Sequence, residues 1–260
     1  MSAIEVPDNG TRTDRIRRAS AIWSFTAAGL FLGSAALQLV ASLQRWVVFR
    51  ASRGEFVAED HLYDYSFPYD PWESIGTSAQ LFGAGTLILA LGVLSMALGI
   101  LAMPRAGGRR SVAVILGVVE IVIAILIAGS FGIAGMHALI SGVTGAPSPL
   151  HQYGATGWVG VVGLIVLIVR WVFRSPAAML ACAFLIGATG LGFFVAAFLI
   201  APLFAGSVSH DTTPWTETVV AAWMAAAAFS MILAARDAAR RGAPRAAQVR
   251  VDDAGLAPSQ

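Results

Sequence analysis

Between Ala21 and Ala235 the chain is cut into six apolar runs, at about 21–43, 77–103, 111–140, 157–173, 177–205 and 219–235. Together they contain one carboxylate, Glu120, and one arginine, Arg170. A helix of roughly 20 apolar residues spans the ~30 Å of hydrocarbon in a bilayer. In lipid each backbone N–H and C=O must find its partner within the protein, so runs of this kind fold as helices. With 57% hydrophobic and 12% charged residues, against about 25% charged in soluble domains, nothing outside the runs can bury a second core. The reading is an all-α integral membrane protein, a six-transmembrane-helix bundle over 21–235 whose first partner is the lipid bilayer. Residues 1–20 form a polar N-terminal segment, and the composition of 236–260 predicts a disordered tail.

Arg12, Arg15, Arg17 and Arg18 precede the first run, the arrangement of a secretory signal. The run of about 23 residues exceeds the roughly 7 to 15 of a signal core, and Val40 with Ser42 makes a poor cleavage site, so a retained helix is expected. Pro104 and Gly107-Gly108 stop the second run, while Ser175-Pro176 supplies an N-cap and a first-turn proline for the fifth. Small residues recur at helical spacing: Gly29 and Gly33; Gly92, Ser95 and Gly99; Ala124, Ala128 and Gly132; Gly187, Gly190 and Gly192. Such faces predict close helix packing.

Arginine distribution sets the expected orientation. With both termini and the two short turns in the cytoplasm, 14 of the 17 arginines lie inside, and only Arg45, Arg50 and Arg53 lie outside. In this frame Trp23 and Trp171 mark inner helix ends and Trp46, Trp72, Trp158 and Trp215 outer ones, as an aromatic belt. The localisation read from this is a plasma membrane, multi-pass, with cytoplasmic termini and a long first extracytoplasmic loop at 44–76. That loop holds Glu55, Glu59, Asp60, Asp64, Asp70 and Glu73, and with Asp211 and Glu217 it makes the outer face acidic. The net charge of +2 follows membrane sidedness and points to no nucleic-acid partner. No lysine is present, which excludes a Schiff-base pigment, and the single Cys182 excludes an intrachain disulfide.

Four groups of residues are candidates for function. Glu120, near the middle of the third run, is costly in hydrocarbon and is the candidate for an intramembrane proton or cation relay. The alternative is a carboxylate neutral by burial, or paired with Ser95 or Arg170. Glu59, Asp60, His61 and Asp64, with His137, His151 and His210, are imidazole and carboxylate groups on one face, the chemistry of a metal or haem site, though no HExxH spacing occurs. The run from Tyr63 to Trp72 offers Tyr65, Tyr69, Asp70 and Trp72 as a partner surface, or else a lid lying back on the bundle. The stretch Arg45 to Glu55 is an interfacial helix continuing the first. Ser209-His210-Asp211 is no catalytic triad, because consecutive side chains diverge.

The text Glu59-Asp60-His61-x-Tyr63-Asp64-Tyr65, followed by Asp70-Pro71-Trp72 and a glycine-rich helix, resembles uncharacterised multi-pass membrane proteins of GC-rich actinobacteria. The resemblance implies an actinobacterial plasma membrane and carries no activity, cofactor or functional residue. No Walker, GxSxG or dinucleotide motif is present. The expected function is a non-enzymatic scaffold or accessory subunit that presents an acidic, aromatic outer surface to another membrane protein or complex. The alternatives are a cation or proton transporter using Glu120 and an outward-facing metal- or haem-binding protein. No cofactor is named by any residue pattern.

Overall fold

The computed structural model describes residues 9–103, 110–205 and 213–240. The predicted stop at Pro104 and Gly107-Gly108, the loop residues His210 and Asp211, and residues 241–260 of the predicted tail lie outside the described residues, whereas 236–240, also read as tail, continue the last helix to Arg240. The principal helices are α1 (Asn9–Leu43), α2 (Ser78–Leu101), α3 (Arg110–Thr144), α4 (Gly157–Trp171), α5 (Pro176–Ile186), α6 (Gly190–Val195) and α7 (Thr216–Arg240). Among the described residues five helices are long and apolar enough to cross a membrane, and a sixth span results if the bent pair at 176–205 counts as one. The chain is a multi-pass helical membrane protein.

The helices meet in sequence order. α1 packs on α2, α2 on α3, α3 on α4, α4 on α5, α5 on α7, and α7 returns to α1, so the ring closes. One half of the ring is filled by side chains from its members, with Met96, Leu167, Trp171, Cys182 and Met231 all fully buried. The α2–α3 seam is tight because two glycines face each other. A Cβ on Gly83 would meet the Gly135 carbonyl oxygen at 2.6 Å, and one on Gly135 would meet the Gly83 carbonyl oxygen at 2.9 Å. The Gly92 and Gly99 face of α2 receives Phe31 and Ser24 of α1. Gly29 and Gly33 do not make the close approach their spacing predicts: nothing lies within 4 Å of a Cβ at Gly29.

One helix boundary follows the sequence reading and two differ from it. α1 continues beyond Leu43 through a π turn, Gln44–Phe49, and a turn of α-helix, Arg50–Arg53, as expected for a continuing helix, and stops at Gly54 with φ of 101°. α4 is led in by a 3-10 segment, Pro149–Thr156, which lengthens the shortest predicted span. The fifth run is not one helix, since α5 and the following segment meet at 69°. At the bend, Gly192 lies so close to the Gly187 backbone that a Cβ would overlap it, and a Cβ on Gly187 would overlap the Trp223 ring. The Thr189 hydroxyl caps the new helix by accepting from the Gly192 N–H at 3.4 Å. The predicted cap at Ser175 is present, accepting from Ala178 N–H at 3.3 Å.

The tryptophan belt is also corrected. Trp46, Trp72 and Trp171 are buried inside the protein at 2%, 7% and 0% exposure, whereas Trp23 and Trp158 are exposed. A flat aromatic side chain serves equally well at a lipid boundary and between helices, so position along a run does not separate the two.

Candidate functional site

The segment after α1 is tied down by Arg45, which the π turn carries into the interior, where it is completely buried. Its Nη1 donates to Glu217 Oε1 at 2.9 Å, its Nε to the Ala58 carbonyl at 3.0 Å and its Nη2 to the Asp60 carbonyl at 3.2 Å. The Trp46 indole donates to the other Glu217 oxygen at 2.6 Å. Glu217 is buried in the first turn of α7, where the helix dipole favours an anion. The pair that was expected to face outward as loop charge is therefore an internal rivet joining α1, α7 and the start of the loop.

The remainder of the loop folds back over the ring. Tyr65 and Trp72 are buried with Ala41, Ala79, Phe82 and Ala138 in a small core of their own. Two of the four partner-surface candidates are thus not presented to solvent. Tyr69 and Asp70 are exposed, Tyr69 at 69%. Burial, with Glu217 nearby, pushes the Tyr65 hydroxyl well above its ordinary pKa, so the ring stays neutral.

Beneath this roof is a chamber of about 300 Å³, at the lower end of the roughly 300–1,000 Å³ typical of small-molecule sites. It is lined by Ser66 to Tyr69 of the roof, Phe82 and Thr86 of α2, Ser130 to His137 of α3, the 150–157 segment and the α5–α6 bend. Edge-to-face rings run along its walls: Phe67 with Phe193 at 5.0 Å, Phe82 with Phe193 at 6.1 Å, and Tyr69 with His151 at 5.7 Å. Among the described residues no Asp, Glu or Arg lines it.

His137 latches the roof. Its Nε2 lies 3.0 Å from the Pro68 carbonyl and its Nδ1 2.8 Å from Ser148 Oγ. A carbonyl only accepts, which assigns the proton to Nε2 and leaves Nδ1 to accept from the serine hydroxyl. Ser148 N–H in turn donates to Ser141 Oγ at 2.9 Å.

The metal candidates do not converge. His61 is exposed beside Asp60 at 3.1 Å, and Asp60 and Asp64 accept from the Leu62 and Ser66 N–H groups of their own turns. Glu59 is buried near the start of the loop, and His137 and His151 stand at the chamber with ring centres 6.4 Å apart. Among the described residues no three His, Cys, Asp or Glu side chains form a group able to hold a metal ion. His210 lies outside the described residues.

Glu120 sits ten residues into α3, a helix of 35, and therefore towards the end opposite the roof rather than at its centre. Its two oxygens accept from Arg170 at 3.1 Å and Arg174 at 3.2 Å. Arg174 also donates to the carbonyls of Ile100 and Met103, so one guanidinium joins α2, α3 and the α4–α5 turn. A smaller cavity of about 230 Å³ beside Arg17, Arg174 and Asp237 has opposing charges in its wall.

The sequence reading passed over Ser66, Ser148, Phe193 and the bend at Gly187–Gly190. The glycine cluster in an apolar run was the available signal, because interrupted spans mark binding sites in membrane proteins. Comparison with protein-family models, with curated proteins and with solved structures finds no match to this chain.

Proposed function

We propose that this is a six-span bacterial plasma-membrane protein with cytoplasmic termini, whose extracytoplasmic end is a roofed chamber that binds a small neutral ligand without transforming it. The observation that carries the reading is the chamber itself: roof, α2, α3 and the broken span border a partly open space of about 300 Å³ walled by aromatic rings. Irregular backbone at membrane depth is tolerated where it lines a cavity, and the α5–α6 bend does so. The arginine distribution supports the orientation. In this reading Glu120 clamps helices through its two arginines, and the loop serves as a roof.

Two measurements test it. Native mass spectrometry of the protein extracted in mild detergent should show a retained small molecule that Ala134→Trp, which fills the chamber, displaces. Retention unaltered by the filled chamber counts against the site. For orientation, Tyr69→Cys should react with a membrane-impermeant maleimide on intact cells, since Cys182 is buried and silent. Labelling only after permeabilisation would invert the topology.

A further inference from the structure

Resting on the chamber as a ligand site, we infer the class of ligand: a neutral aromatic ring bearing a hydroxyl group, a phenol or quinol, with its oxygen on Ser66.

Charge comes first. Among the described residues the lining offers no Asp, Glu or Arg, so an ammonium group would enter without a counter-charge and a carboxylate or phosphate would meet only the imidazoles of His137 and His151, of which His137 is already bonded through both nitrogens. Shape comes next. Phe67, Phe82 and Phe193 already meet edge to face, with Phe193 shared between the other two, and a further ring extends that arrangement with favourable quadrupole geometry.

The hydroxyl census then fixes the polar part. Thr86 donates to the Phe82 carbonyl at 2.9 Å, Ser130 to that of Thr156 at 2.8 Å, Thr156 to that of Tyr153 at 2.7 Å, and Thr189 to that of Ile186 at 2.6 Å. Their protons are committed within the protein. Ser66 is different: its residue is 2% exposed, its N–H is held by Asp64, and its hydroxyl has no hydrogen-bond partner among the described residues. Buried polar groups are usually paired; of the buried side-chain polar atoms that lack a partner among the described residues, Ser66 Oγ is the one whose residue lines this chamber, so it calls for an oxygen from a ligand.

His151 adds direction. Its Nδ1 lies 3.0 Å from the Ser148 carbonyl and so carries the proton, which leaves Nε2 of the neutral ring as an acceptor. A ligand hydroxyl accepts from Ser66 and donates to such an acceptor. A ketone, an ether or a bare hydrocarbon cannot do both.

The test uses the full chain in lipid nanodiscs, with empty nanodiscs subtracted, and three probes of one ring size at pH 7: naphthalene, 2-naphthol and 2-naphthoate. We expect 2-naphthol to bind about tenfold more tightly than naphthalene, and naphthoate to bind more weakly than either. Ser66→Ala should abolish the naphthol advantage, so that naphthol and naphthalene bind the variant equally, and continued naphthalene binding reports an intact chamber. Equal binding of naphthol and naphthalene by the wild type, a naphthol advantage that survives Ser66→Ala, or a preference for naphthoate overturns the inference while the chamber reading stands. Binding of none of the three above empty nanodiscs overturns the chamber reading itself. The wild-type comparison decides the ligand class even if the variant fails to fold.

Discussion

Breaking the Arg45–Glu217 pair is the sharpest probe of this architecture. Arg45 is completely buried and Glu217 is 3% exposed, so neither charge can turn to water if its partner is removed. Removing one member of a buried pair costs about 3–5 kcal/mol, because the survivor remains uncompensated in a low-dielectric interior. Glu217→Ala also takes the acceptor from the Trp46 indole, a bond of 2.6 Å, but leaves the part-exposed Asp64 carboxylate 4.0 Å from Arg45 Nη1, so its cost belongs near the middle of that range, about 4 kcal/mol. Arg45→Met leaves Glu217 with the indole donor and should cost somewhat less, about 3 kcal/mol. The double variant Arg45→Met with Glu217→Leu removes both charges and restores apolar volume, and should return to within about 1–2 kcal/mol of the wild type. The assay is reversible unfolding in mixed micelles at rising SDS fraction, followed by helicity and completed as a double-mutant cycle. Single substitutions costing under about 1 kcal/mol each, or a double cost equal to the sum of the singles, would refute the rivet.

Other consequences can be checked on the same preparations. At the opposite end, Arg174→Gln should destabilise by about 2–4 kcal/mol and Arg170→Gln by under about 1 kcal/mol, because their side chains are 16% and 35% exposed; the reverse ranking would show that Glu120 is held mainly by Arg170. Gly192→Ala should cost about 1–3 kcal/mol through overlap with the Gly187 backbone, read as a fall in unfolding midpoint, and an unchanged midpoint would mean the bend opens freely. Tyr65 titrates above the ordinary tyrosine value of 10.0 when folded. The unfolded chain therefore loses this proton first, and stability, constant below that pH, should decline as pH rises beyond it. Tyr65→Phe should flatten that alkaline slope in unfolding curves, and an unchanged slope would place the titration elsewhere.

The spans were legible because a membrane helix announces itself by length and lack of charge, and Ser175-Pro176 was legible because capping is local chemistry. Burial was not. In water an apolar stripe marks the side that faces the core, but here Phe173, facing out at 97% exposure, and Phe31, fully buried, are the same residue type. Lipid and protein interior are both apolar, so the pattern has no contrast. The same blindness hid the depth of Trp46, whereas the folding back of Tyr65 and Trp72 was one of the two readings of the Tyr63–Trp72 run. The charges of Arg45 and Glu217 were counted correctly, but their pairing across 172 residues follows from ring closure, which no local pattern encodes. Glu120 was recognised as the unusual carboxylate of the spans, and Arg170 was offered as a partner only under the alternative to a relay; Arg174 reaches it through the geometry of the turn after α4.

Ring closure also imposes an order of events during synthesis. Arg45 lies 172 residues ahead of its carboxylate, an interval of roughly 10–30 s at about 5–20 residues per second of translation. Until α7 arrives, the guanidinium has to stay in headgroup water, since hydrocarbon does not accept it unpaired. α7 is thus the segment that seats the loop after α1, and a nascent chain that stalls before Glu217 carries an unroofed bundle.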